Sequence, residues 1–145
     1  MRRLHRRIVR TARGDAGSVL LLTLGYAALA IVAILVCVNA TSLYLAQKRL
    51  DGLADAAALA GADGYTLRVE AGRIHADLDD AGVRDQAEAL VAVVGDGAVV
   101  VTAGTADGTS ARVTVRADWH PPLLSLFVPD GLALQATATS RTALN

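Results

Sequence analysis

Residues 17–62 read GSVLLLTLGYAALAIVAILVCVNATSLYLAQKRLDGLADAAALAGA. From Val19 to Val38 this stretch holds no charged residue. A helix that crosses the hydrocarbon core of a bilayer needs about 20 apolar residues, and the run supplies them. The segment after it is rich in alanine and free of proline, so nothing stops the helix before Gly61, Asp63 and Gly64. The expectation is one long helix, transmembrane over residues 17–46 and continuing outside the membrane over residues 47–62. Around it lie a basic arm, residues 1–16, and a small ectodomain, residues 63–145.

The formal net charge of zero hides a strong asymmetry. Arg2, Arg3, Arg6, Arg7, Arg10 and Arg13 precede the span against one acid, Asp15, whereas from Gln47 onward eight basic residues face thirteen acidic ones. Basic flanks stay in the cytoplasm. The six arginines therefore act as topology determinants, with the N-terminus inside and the C-terminal domain outside. Their place beside a span accounts for them through lipid headgroups, and no nucleic-acid partner is expected. A basic arm and apolar run also describe a secretory signal, but signal cores are about 7–15 residues long, and the helical pattern here continues well beyond Val38-Asn39-Ala40. A retained anchor is the expectation.

One face of the span is small. Thr23, Ala27, Ala30, Ala33, Cys37, Ala40 and Tyr44 recur at steps of three or four, while Leu24, Ile31, Leu35 and Val38 lie opposite. Small residues let helices approach closely in lipid. Ala30, Ala33, Cys37, Ala40 and Tyr44 are thus the candidate packing face for partner helices, including a second copy. Cys37 is the only cysteine, so an intrachain disulfide is impossible.

Beyond Ala62, Tyr65–Val69 reads as a short strand, and Ala71–Leu78 as a helical turn or second short helix. Val83–Val94 is amphipathic, with Ala87, Leu90, Val91 and Val94 on one face. Asp79 or Asp80 suits its start and Gly95 its end. The period then changes to two. Ala98–Thr102 is β-branched, and Arg112–Trp119 alternates with Val113, Val115, Ala117 and Trp119 on one side. Asp107-Gly108 between them predicts a hairpin. Leu132, Leu134, Ala136 and Ala138 mark a third strand. The fold class expected is α+β and pilin-like: a long N-terminal transmembrane helix, then an ectodomain with one helix and an antiparallel sheet of about three strands. The apolar connection from His120 to Gly131 either closes the end of the sheet or presents a contact patch.

Catalytic chemistry finds no candidate. His5, His75 and His120 are scattered, and Lys48 is the only lysine, with no glycine-rich phosphate loop before it. No enzyme activity, cofactor or structural metal is expected. One pattern stands out: Asp77, Asp79, Gly82 and Glu88 fall at positions 1, 3, 6 and 12 of a calcium-binding loop. Position 5 is Ala81 and position 8 is Arg84, against that pattern. The alternative function this spacing raises is a membrane-tethered ectodomain binding a ligand such as calcium through Asp77, Asp79 and Glu88.

The opening stretch also resembles the N-terminal segment of TadE/TadG-like proteins of the tight-adherence, or Flp-type, pilus system. The resemblance rests on the Gly17-Ser18 opening, the span, Tyr44 before Lys48-Arg49, then Leu50 and Ala54-Asp55-Ala56-Ala57-Ala58-Leu59-Ala60, with a looser likeness in Leu132–Arg141. It implies a pilin-like or pseudopilin-like component of pilus assembly or a related secretion machine, in a bacterial cytoplasmic membrane, contacting other pilus or secretion components. Prepilin-type members carry a glutamate five residues after the cleavage-site glycine. That place is Leu22 counted from Gly17 and Val19 counted from Gly14, and Asn39 stands where relatives often have aspartate. The resemblance therefore implies an uncleaved, membrane-resident accessory.

Overall fold

The computed structural model describes residues 15–70, 73–123, 125 and 129–141. Its elements, in chain order, are α1 (Asp15–Ala62), β1 (Thr66–Glu70), β2 (Arg73–Asp77), α2 (Asp80–Val94), β3 (Val99–Thr105), β4 (Ser110–Trp119) and β5 (Leu132–Arg141). The chain divides into two compact units, Met1–Val38 and Asn39–Asn145, the division falling within α1. The architecture is α+β with a long N-terminal apolar helix, a second helix and a three-stranded antiparallel sheet.

α1 runs for 48 residues. Alanine and leucine favour it, and no proline interrupts it. In the first unit, the side chains from Gly17 to Val38 are exposed, Leu35 alone being half-buried. Thr23 donates its hydroxyl to the Val19 carbonyl at 2.8 Å, so this mid-run hydroxyl is satisfied within the helix.

The second unit has a core. From α1 it takes Leu50, Ala54, Ala57, Ala58 and Ala62, spaced to share one face. From α2 it takes Val83, Ala87 and Val91, from β4 Ala111, Val113 and Val115, and from β5 Leu134, Ala136 and Ala138. The α1 contribution is small because the approach is close. A methyl added at Gly61 would stand 3.0 Å from a Val83 methyl and 3.4 Å from the Ala111 Cβ.

α2 begins where the sequence put it. Asp79 is the N-cap, its carboxylate accepting from the Gly82 N–H at 2.7 Å, and Gly95 closes the other end with its N–H on the Val91 carbonyl. The central strand β4 pairs with β3 on one side and β5 on the other, both antiparallel. The β3–β4 turn is held by Asp107, whose carboxylate accepts from the N–H groups of Thr109 and Ser110 and from the Ser110 hydroxyl. Gly108 takes φ +69° there, a value that favours glycine.

Three expectations need correction. Ala71–Leu78 contains β2 and no helix: Arg73–Asp77 pairs antiparallel with Thr66–Glu70 in a separate two-stranded sheet. A five-residue segment with little apolar pattern takes its conformation from its partner strand, and the Leu78 N–H bonds the Gly108 carbonyl at 3.0 Å to tie that hairpin to the β3–β4 turn. Val94 is 58% exposed and Leu132 49% exposed. Each is the last or first residue of its element, where the core has already ended. β3 is longer than expected and carries an irregularity between Val100 and Thr102, where the consecutive residues Val101 and Thr102 are both exposed. An extra residue in one strand breaks the two-residue alternation.

Candidate functional site

Among the described residues, what stands out is apolar helix surface. α1 is long and apolar enough to cross a membrane over its N-terminal part. Val19, Leu20, Leu24, Leu29, Ile31 and Ile34 are all large and exposed. In water each buried Leu or Ile side chain is worth about 1.5–3 kcal/mol, so a continuous exposed run of this kind is stable only against lipid or protein.

The five residues of the small face fall along this helix. Ala30, Ala33, Cys37 and Ala40 are exposed, as is Tyr44 at 61%. None of the five is used in the protein's own core, so the face is presented outward over its whole length.

Just past Ala46, α1 turns polar. Lys48 pairs with Asp51 at 3.1 Å and its ammonium lies 6.0 Å from the Tyr44 ring centre. Both partners of the pair are substantially exposed, so it adds little stability. Gln47 donates to Asp51 at 2.9 Å and to the Gln135 carbonyl at 3.1 Å. The Trp119 indole N–H donates to the Ser42 hydroxyl at 3.2 Å. The Gln135 and Trp119 contacts lock residues 42–47 of the helix to β4 and β5. Neither was legible in the sequence, since nothing in the alternation of β4 says which helix position its last aromatic meets.

The calcium candidates lie in three different settings. Asp77 ends β2, Asp79 is committed to capping α2, and Glu88 sits in α2 within 3.4 Å of Arg84. Residues 80–88 are helical, whereas a calcium loop needs open backbone to turn its oxygens inward. Among the described residues no three Asp, Glu, His or Cys side chains converge as a metal site would require. A hollow of about 340 Å³ lies between α1 and the end of α2, lined by Leu50, Leu53, Val94 and Ala98 together with Arg49 and Asp96. The six arginines of the arm, and Leu124, Leu126, Phe127 and Val128 of the apolar connection, lie outside the described residues.

Among the described residues beyond α1, Asp107 is the one group whose acidity is clearly altered. The Ser110 hydroxyl and the N–H groups of Thr109 and Ser110 hold its carboxyl well below the usual carboxylate range. It is a turn clamp, with no reacting partner beside it.

A long apolar N-terminal helix leading into a small α+β domain fits a single-pass membrane protein. Residues 17–64 match the family described as "Putative Flp pilus-assembly TadE/G-like". The match covers the apolar run, the Lys48-Arg49 junction and the buried alanines, and bears out the resemblance read from those residues. No curated protein and no solved structure matches the chain. The fold explains why the alanine segment is so informative: Ala54, Ala57 and Ala58 are buried with almost no exposed surface, while Leu59 beside them is 58% exposed.

Proposed function

We propose that this protein is a membrane-anchored structural component of Flp-type pilus assembly or a related secretion machine, acting through protein contacts. The observation that carries this reading is the exposed apolar run of α1 within the segment matched by the pilus-assembly family. Residues 17–46 span the cytoplasmic membrane once. The arginine arm keeps the N-terminus inside, and the domain built from residues 63–145 lies outside with the continuation of α1. Ala30, Ala33, Cys37, Ala40 and Tyr44 form the contact face toward neighbouring spans in the assembly, including those of a second copy. Trp119 and Tyr44 lie near the polar end of the span, where aromatic side chains favour the headgroup level.

The reading is tested by fractionation. The full chain should stay with membranes after alkaline washing, require detergent for release, and co-purify with other pilus or secretion components. Recovery as a free monomer without detergent would overturn it. Orientation is read with Asp55→Cys in a Cys37→Ser background: a membrane-impermeant maleimide should label it from the outer side of the cytoplasmic membrane, and labelling only after lysis would reverse the topology.

A further inference from the structure

The two edges of the three-stranded sheet are finished differently, and the difference points to a binding surface. We propose that the free edge of β5 accepts an extended strand from a different polypeptide, lengthening the sheet from three strands to four.

The β4–β5 ladder fixes which backbone groups face outward. Thr114 and Thr137 are directly opposite in its register, and their hydroxyl oxygens are 2.9 Å apart. So close a side-chain contact belongs to a non-hydrogen-bonded pair, which turns the Thr137 N–H and C=O away from β4. Pairs alternate along an antiparallel ladder, so Ala133, Gln135 and Thr139 face the same way. The Gln135 carbonyl agrees independently, because it accepts from Gln47 at 3.1 Å, from outside the sheet. Among the described residues no strand pairs with β5 on this side.

Natural sheets blunt such edges with bulges, prolines, lysines or covering elements. The far edge does so. β3 has its irregularity between Val100 and Thr102, and its Thr105 N–H is taken by the Asp80 carboxylate at 2.7 Å. The same carboxylate oxygen stands 2.6 Å from where a Gly104 side chain would begin. β5 does less: Gln47 of α1 takes its Gln135 carbonyl, but its register with β4 is unbroken over 10 residues, and LALQATATSR contains no proline, lysine or acid.

A second copy does not fit this edge. Ser42 meets Trp119, which pairs with Leu132, and Gln47 meets Gln135. Gly61 lies against Ala111, which pairs with Ser140. Residues 42–61 of α1 and β5 therefore run in the same direction. Two copies joined through antiparallel β5 edges would have these helix segments opposed, with the two copies of Ser42 at opposite ends of the joined sheet. That exclusion rests on the single-membrane anchoring proposed above. Pairing β5 with β3 of a neighbour keeps the direction but meets the irregularity and Asp80. A strand of another protein meets neither obstacle, and strand addition is a recurrent mode of peptide capture. The outward face of the sheet carries Arg112, Arg116 and Arg141 against Asp118, which already lies 3.6 Å from Arg116. The incoming strand is therefore expected to carry an acidic side chain beside Arg141.

The test uses the full chain in detergent micelles and a synthetic peptide of alternating valine and threonine with one glutamate. A control peptide has alternate amides N-methylated. Hydrogen exchange should slow at Thr137 and Thr139 by about tenfold or more on adding the first peptide, as one hydrogen bond's worth of protection requires. The control should leave both unchanged, and Ala136 and Ala138, which face β4, should be slow throughout. Thr139→Pro removes an edge donor without breaking the β4 ladder and should weaken peptide binding about tenfold; unchanged Ala136 and Ala138 exchange certifies its fold. If that variant does not fold, exchange in the unsubstituted chain decides. Absent binding, protected Thr137 and Thr139 amides in the free chain, or equal slowing by the N-methylated control would overturn the proposal. A disulfide between two copies of Thr139→Cys in a Cys37→Ser background would overturn the choice of partner. Membrane fractionation tests the anchoring separately, so the two failures are distinguishable.

Discussion

Two stretches of α1, residues 17–38 and residues 39–62, are built from similar apolar residues and meet opposite fates. Along the first, leucines, isoleucines and valines are exposed all round apart from half-buried Leu35. Along the second, the side chains divide sharply: Leu50, Ala54, Ala57, Ala58 and Ala62 are buried, while Asp55, Ala56 and Leu59 are exposed. A helix greasy all round needs a solvent of its own kind, whereas a helix greasy on one stripe needs only a partner surface. The second stretch also reverses the usual rule of large residues inside. Its buried positions are mostly alanine because Val83 and Ala111 stand so close to the helix.

The comparison can be broken most decisively from the membrane side. Val32→Asp places a charge in the exposed run, which costs about 2.5–3.5 kcal/mol at a span centre. It should release much of the protein from the membrane fraction while leaving the melting of the second unit unchanged. Ala57→Leu should do the reverse. Overpacking a site with no exposed surface costs about 1–3 kcal/mol, so the melting temperature should fall by several degrees with membrane retention intact. A single variant that lost both properties would show that the two stretches are not separable.

Smaller effects sharpen the second stretch. Gly82→Ala puts a methyl 2.6 Å from the Gly64 carbonyl oxygen and 2.8 Å from the Asp79 carboxylate, where α1 ends and α2 begins. Denaturant unfolding should show a loss of about 1–3 kcal/mol. Asp79→Ala removes only the N-cap, and the same measurement should find about 1 kcal/mol. Asp107 gives the subtlest change. Its carboxyl is held below its unfolded value, so its contribution is fully present above about pH 4 and is lost as pH falls through the lowered folded value. Asp107→Asn should therefore melt below the parent at pH 7, with the gap closing as the solution is acidified below about pH 4. A gap independent of pH would show that the turn is held by shape alone.

Much of this was legible in the residues. The long apolar helix declares itself through length and lack of charge, the start of α2 through Asp79 or Asp80, the hairpin through Asp107-Gly108, and the inner side of β4 through alternation. The stripe of Ala30, Ala33, Cys37, Ala40 and Tyr44 was legible as a pattern, and all five are exposed. The β1–β2 hairpin was not, because Arg73–Asp77 is too short and too mixed to choose between strand and turn without its partner. The irregularity in β3 was hidden for a related reason: a run of valines has no phase of its own until β4 sets one.

By itself, then, the sequence determined what each segment must bury, since apolar content and period are properties of neighbouring residues. Only the tertiary structure decided how near the segments come, and so which positions must be alanine or glycine. It also decided that Asp80 closes one sheet edge, while among the described residues no strand pairs with β5 beyond β4. Those are matters of distance between residues far apart in the chain, and no local pattern encodes them.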